Sequence, residues 1–256
     1  MTGLPIMGLQ WLVPSDHEAI MTRQPERQPG SDGLAEDFRV RAARQKRERM
    51  RARLLEATLD VYEPWGRGRA AVIDDVVRRA DVSRGTFYKY FETLEEAVAE
   101  LGRQLAEETL GNYRDLFSQE SDPATRTAGG PVLTLARAAM EPRWGLFTAS
   151  IDFIEQFSHL DSLYAIVADP LEDARRQGIV RFDSMDAAMD MVVGTTTQAI
   201  KRLAHGQQRN RQYILDIAAL CLTGLGTSRD QSAAAAERAW SRLSARGSTL
   251  PWWQEL

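Results

Sequence analysis

Along most of the chain apolar residues recur at intervals of three and four, the period of a helix. Nowhere do they alternate with polar residues for more than a few positions, as a half-buried strand would require. A first helix is predicted from about 38–44 to Tyr62. In it Leu54, Ala57, Thr58 and Val61 stand at i, i+3, i+4 and i+7 beside Leu55, Leu59 and Tyr62, and Pro64 and Gly66 end it. Ile73, Val76, Val77 and Ala80 repeat the spacing in a second helix. Asp81-Val82-Ser83 breaks it, and a short third segment ends at Phe91. Thr93-Leu94-Glu95-Glu96 reads as a capping box that opens a long helix through Val98, Leu101 and Leu105 to Phe117. Residues 118–131, rich in Ser, Asp, Thr, Gly and Pro, are predicted to form a loop. Further helices are predicted over 132–140, 143–158, 161–177, 185–204, 209–223 and 229–246. The fold class is all-α. Residues 1–36, with four prolines and no helical period, are expected to be a mobile leader.

Charge adds something that the whole-chain balance conceals. The net charge is −4, which by itself argues against a polyanionic partner. Between Arg39 and Tyr90, however, 14 basic residues face 7 acidic ones, while the remainder is strongly acidic. Such asymmetry fits one region that meets a polyanion and another that keeps the protein in solution. The lone cysteine, Cys221, excludes an intramolecular disulfide and fits a reducing, cytoplasmic setting. No run reaches the length of a membrane span, and Met1–Val13 has neither a basic start nor a small-residue cleavage site, so no membrane partner or signal peptide is expected.

The informative stretch runs from Ile73 to Phe91 and reads as two helices joined by a tight turn. Ile73, Val76, Val77 and Ala80 supply a packing face, and Val82 plugs the turn. Ser83 is a good N-cap for the second helix. Phe87 and Phe91, four apart, fall on one face and belong to the core. The opposite face offers Arg84, Thr86, Tyr88, Lys89 and Tyr90 as hydrogen-bond donors at a helix N-terminus, with Gly85 leaving room for a phosphate backbone. A helix lying in the DNA major groove needs such a face.

Residues 47–98 resemble the DNA-binding domain of the tetracycline-repressor (TetR) family. The resemblance lies in Arg53-Leu-Leu-Glu-Ala-Thr-Leu-Asp-Val-Tyr62, in Ala80-Asp-Val-Ser-Arg-Gly-Thr-Phe-Tyr-Lys-Tyr-Phe91, and in Leu94-Glu-Glu-Ala-Val98. It implies a helix-turn-helix domain over 37–93, joined by a long helix to a larger effector-binding and dimerisation domain over 94–256. It further implies a homodimer that binds a palindromic operator in double-stranded DNA and is released by a small molecule. The expected DNA contacts are Arg44, Arg47, Ser83, Arg84, Gly85, Thr86, Tyr88, Lys89 and Tyr90. Ala71-Val72 stand where the family often has a Thr cap, and Leu94 where it often has Lys. The Arg-rich run from Arg39 to Arg53 offers substitute phosphate contacts.

The remaining chemistry is sparse. Trp144, Phe147, Phe153, Phe157 and Tyr164 recur at helical spacings and are the expected lining for an apolar or aromatic effector, though a plain core stripe would read the same way. Residues 185–204 and 213–222 are apolar around much of their circumference. The expected dimer face takes Met189, Val192, Val193, Thr196 and Ile200 from the first, and Ile217, Leu220 and Cys221 from the second. His159 and His205 stand apart from any metal-ligand spacing, and no phosphate loop or nucleophile triad occurs, so neither metal, cofactor nor enzymatic activity is expected. Two alternatives remain open. One is an activator or a regulator without a small ligand. The other is a helical interaction protein or enzyme in which residues 73–91 merely pack; the outward polar cluster argues against it.

Overall fold

A computed structural model describes residues 31–61, 71–150, 161–207 and 210–254. Among them are ten α-helices and no strand. They are α1 (Ser31–Val61), α2 (Ile73–Arg79), α3 (Arg84–Phe87), α4 (Leu94–Phe117), α5 (Pro123–Met140), α6 (Pro142–Ser150), α7 (Asp161–Arg176), α8 (Met185–Ala204), α9 (Arg211–Gly224) and α10 (Arg229–Ala245). Helix α1 begins six residues before residue 37, and most of the expected leader lies outside the described residues.

The first three helices contribute one part of a core that is continuous with the rest of the described chain. Leu54, Leu55 and Leu59 of α1 meet Val76, Val77 and Ala80 of α2 and the rings of Phe87 and Phe91, all buried. The two rings sit 5.7 Å apart, and the Arg51 guanidinium lies 5.1 Å from the Phe91 centroid. The turn between α2 and α3 depends on Asp81, the single non-glycine residue of positive φ among those described, at 50°. Asp tolerates that region because its short side chain can bond locally. Ser83 then caps α3, accepting from the Thr86 N–H at 3.1 Å. Thr93 caps α4 in the same way, while Glu96 reaches back to the Glu92 N–H at 2.6 Å.

The larger body is built around α5, against which α6, α7, α8, α9 and α10 all pack. Its course corrects the reading of 118–131 as a loop, since only 118–122 connect and the helix starts at Pro123. Asp122 accepts from the N–H groups of Ala124 and Thr125, and Pro123 in the first turn lacks a donor that would otherwise be orphaned. The glycines serve close packing rather than a turn. A Cβ on Gly129 would lie 2.9 Å from the Phe117 ring, and one on Gly145 of α6 would lie 2.9 Å from Ala204 Cβ. Burial of nearly every residue from Pro123 to Met140 outweighs the weak intrinsic helix preference of this segment.

Candidate functional site

Two features stand out, at opposite ends of a short chain of contacts. The first is the outer surface of α3 and the turn after it. Tyr88 is 54% exposed, and Arg84, Gly85 and Lys89 also face solvent. Thr86 is half-buried, its hydroxyl 3.0 Å from that of Ser83. Tyr90 departs from the expectation of an outward side chain: it is half-buried and packs against the core, because the chain turns at 88–90 instead of extending the helix. Arg84 is bound through two nitrogens to both carboxylate oxygens of Asp74 on α2. That hydrogen-bonded pair raises the Arg84 pKa and fixes the direction of its guanidinium. Asp74 was not among the sequence candidates. A pairing ten residues apart across a turn follows no helical spacing, so only the folded chain reveals it.

The N-terminus of α2 differs from a phosphate site. Val72 offers no side-chain cap, and the first turn holds Asp74 and Asp75. Asp75 accepts from Val72 N–H and from Arg78, at 3.3 and 3.2 Å. An exposed basic run lies on α1 instead. Arg47 is exposed there, and Arg44 is exposed and pairs with Glu48 at 2.8 Å.

The second feature is a cavity of about 90 Å³ in the larger body. Its walls come from α4 (Thr109), α5 (Thr127, Gly130, Pro131, Leu133, Thr134), α6 (Trp144, Thr148), α7 (Ile166, Val167, Leu171) and α8 (Val192, Val193, Thr196, Thr197, Ile200). Of the expected aromatic lining, Trp144 is present. Phe147 is fully buried in the core away from it. Phe153 and Phe157 lie outside the described residues, as does the side chain of Tyr164. The threonines were the missed signal, since six of them face an otherwise apolar wall.

This cavity also reassigns part of the expected dimer face. Val192, Thr196 and Ile200 are buried inside the single chain, and with Val193 they line the cavity. Cys221 is buried too, its thiol pushed up to about 11 by desolvation, so it stays protonated. Outside this interior are Leu220, 61% exposed, and the half-buried Met189 and Ile217. An all-round apolar helix does not declare which side meets the core of its own chain.

Helix α6 connects the two features. Trp144 and Thr148 reach the cavity, and the neighbouring Arg143 donates to Asp60 and Glu56 of α1 at 2.8 and 3.2 Å. Asp60 in turn holds Arg79 of α2 at 2.6 Å. Behind Trp144 lies a buried charge cluster. Arg137, 4% exposed at its side chain, approaches Glu108 at 2.8 Å and Glu141 at 3.2 Å, with its guanidinium 4.8 Å from the Trp144 ring. The Arg137–Glu108 contact is close but poorly aligned, an ion pair rather than a hydrogen bond. Among the described residues no helix is long and apolar enough to cross a membrane, and no cluster of three or more potential ligands could hold a metal ion.

No family model and no curated protein matches the chain. Solved structures do. RolR in complex with resorcinol is 23% identical, with a TM-score of 0.57 over 76% of this chain and 96% of its own. The fatty acid degradation regulator FadR from Bacillus halodurans is 15% identical, with a TM-score of 0.59 over 70% of this chain and 97% of its own. A gamma-butyrolactone receptor described as ArpA-like is 19% identical, with a TM-score of 0.53 over 76% and 98%. At these identities the likeness is one of fold: 70–76% of this chain shares an all-helical architecture with nearly the whole length of these proteins.

Proposed function

We propose that the chain is a ligand-responsive, DNA-binding transcription regulator of the tetracycline-repressor type, acting as a homodimeric repressor and not as an enzyme. The observation behind this reading is the combination within one fold. A capped helix-turn-helix presents Arg84, Tyr88 and Lys89 to solvent, and a separate apolar cavity is tied to it through α6. The comparison structures include one regulator by name, one protein with a small phenolic ligand bound and one receptor for a lactone. In this reading Tyr88 and Lys89 meet the DNA alongside an Arg84 pre-aimed by Asp74. The exposed basic run of α1, from Arg39 to Arg49, supplies sequence-independent phosphate attraction.

Binding to the DNA upstream of the chain's own reading frame tests the proposal. Arg47→Ala is expected to weaken operator and random DNA alike and to flatten the salt dependence by about one unit, as one phosphate contact is lost. Tyr88→Ala is expected to weaken the operator about tenfold and leave random DNA nearly unchanged, the mark of a base-reading contact. Wild-type behaviour of both variants would remove the recognition face from this surface.

A helix-turn-helix reads few base pairs, so two copies are expected on half-sites one helical turn or a multiple apart. The proposed pairing face centres on Leu220, with Ile217 and Met189 beside it. Leu220→Arg places a charge on a surface position and is expected to leave the fold intact while producing monomers in sedimentation and lowering operator affinity. A Leu220→Arg dimer as tight as wild type would put the interface elsewhere.

A further inference from the structure

Taking the cavity as an effector site, as proposed above, we infer that its effector is a small uncharged molecule, about one ring in size. It accepts a hydrogen bond from Trp144 Nε1 and exchanges hydroxyl hydrogen bonds with Thr148 and Thr196.

Three observations define this chemistry. First, among the described residues no Asp, Glu, Lys, Arg or His lines the cavity. A carboxylate or ammonium entering it would lose its water and find no counter-charge, which is the costliest way to bury a charge. The nearby Arg137 is already engaged with Glu108 and Glu141.

Second, the wall divides its polar groups into spent and unspent. Thr109, Thr127 and Thr134 donate their hydroxyl protons to carbonyls one turn back, Leu105, Pro123 and Gly130, at 2.8, 2.8 and 3.0 Å. That bond is the cheap solution for a buried helical threonine. Thr148 and Thr196, both buried, do not take it, and neither Oγ1 has an oxygen or nitrogen partner. Thr196 has only the weakly accepting thiol of Cys221 beside it. Trp144 is 1% exposed, and its Nε1 is likewise without a partner. Buried donors are almost always satisfied in native proteins. The three residues that carry one unpaired N–H and two unpaired hydroxyls all line a single cavity, and these groups, sealed from water in the empty cavity, point to a ligand that completes them as the walls yield to it. Trp144 can only donate, whereas a hydroxyl can donate or accept. The complementary ligand therefore offers at least one acceptor, and a hydroxyl group matches all three positions.

Third, the volume is small. A dry cavity of about 150 Å³ admits benzene, so a cavity of about 90 Å³ takes at most one ring, with its walls yielding to admit it, and no long acyl chain.

The test titrates the full-length chain with four probes of similar size, phenol, toluene, benzoate and benzylammonium, by calorimetry. Phenol is expected to bind, toluene about tenfold more weakly, and the two ions about 100-fold more weakly or not measurably. Thr148→Val and Thr196→Val keep the side-chain shape and remove the hydroxyl. Each is expected to reduce phenol affinity about fivefold, to leave toluene affinity unchanged or higher, and to raise the melting temperature of the ligand-free protein by about 2–4 °C, since an unsatisfied buried hydroxyl is gone. A merely structural threonine would instead lower stability when its hydroxyl is removed. Equal binding of phenol and toluene, benzoate binding as tight as phenol, no binding by any probe, or valine variants that hold phenol as wild type does would each overturn the assignment. Phenol binding as described with no change in operator affinity leaves the site chemistry standing and overturns the regulator reading. An ionic molecule that binds in the cavity and releases the operator does the reverse.

Discussion

Arg137→Met is expected to destabilise the protein by about 3–5 kcal/mol, the cost typical of removing one partner from a buried charge cluster. Methionine keeps the apolar stem and much of the packing, so the loss is electrostatic. Arg137 is the cation between Glu108 and Glu141, both largely withdrawn from water, and its guanidinium lies between the rings of Trp144 and Trp252, at 4.8 and 5.8 Å. Without it two carboxylates remain side by side in the interior. Glu108 already lies above the ordinary carboxylate range, because burial outweighs the opposing pull of Arg137. A group whose folded pKa is raised contributes its full stability below its unfolded value, and that contribution is lost as pH rises through the folded value. Removing Arg137 raises the folded value further and enlarges the loss near neutrality. Denaturant melts should therefore show a larger deficit at about pH 8 than at about pH 5. Arg137→Met combined with Glu108→Leu should recover a substantial part of it. A deficit of equal size at both pH values would mean that lost packing, not an unpaired carboxylate, is responsible.

Arg143→Met is expected to disconnect the cavity from the DNA while leaving each competent alone. Arg143 adjoins Trp144, which lines the cavity, and donates to Glu56 and Asp60 on α1, while Asp60 also holds Arg79 of α2. A shift of α6 on ligand binding would thus be passed through one side chain to both helices that support α3. Coupling between two such sites is typically worth about 1–3 kcal/mol and is reciprocal. In the variant, operator affinity with and without saturating ligand should converge to within a factor of about two, and operator DNA should cease to alter ligand affinity. The separate affinities should stay within several-fold of wild type. If the ligand still releases the operator as strongly from Arg143→Met, the signal takes another route, for which the Arg51–Glu100 pair between α1 and α4, at 2.7 Å, is the next contact to test.

The helix-turn-helix part of the molecule was legible in the sequence because its determinants are local. Helix periods, the Ser83 and Thr93 caps and the Asp81 turn all act within a few residues, and the structure realises each of them. Where long-range packing decides, the reading failed or stopped short. Residues 123–131 have the composition of a loop, yet they form the start of the central helix, because six neighbouring elements bury it and its glycines admit a phenylalanine ring. The apolar period of α8 led Val192, Thr196 and Ile200 to be assigned to a partner, whereas the structure buries them inside the chain around the cavity. Asp74 and Arg143 gain meaning only through partners that sequence spacing does not announce. By itself, then, the sequence determined the helices, their joints and a polar face suited to DNA, since each follows from hydrogen bonding and periodicity over a few turns. Tertiary structure alone decided where the cavity lies, which hydroxyls near it stay unpaired and how it connects to the helices that carry α3, because those properties arise from side chains brought together across scores of residues by the packing of the whole core.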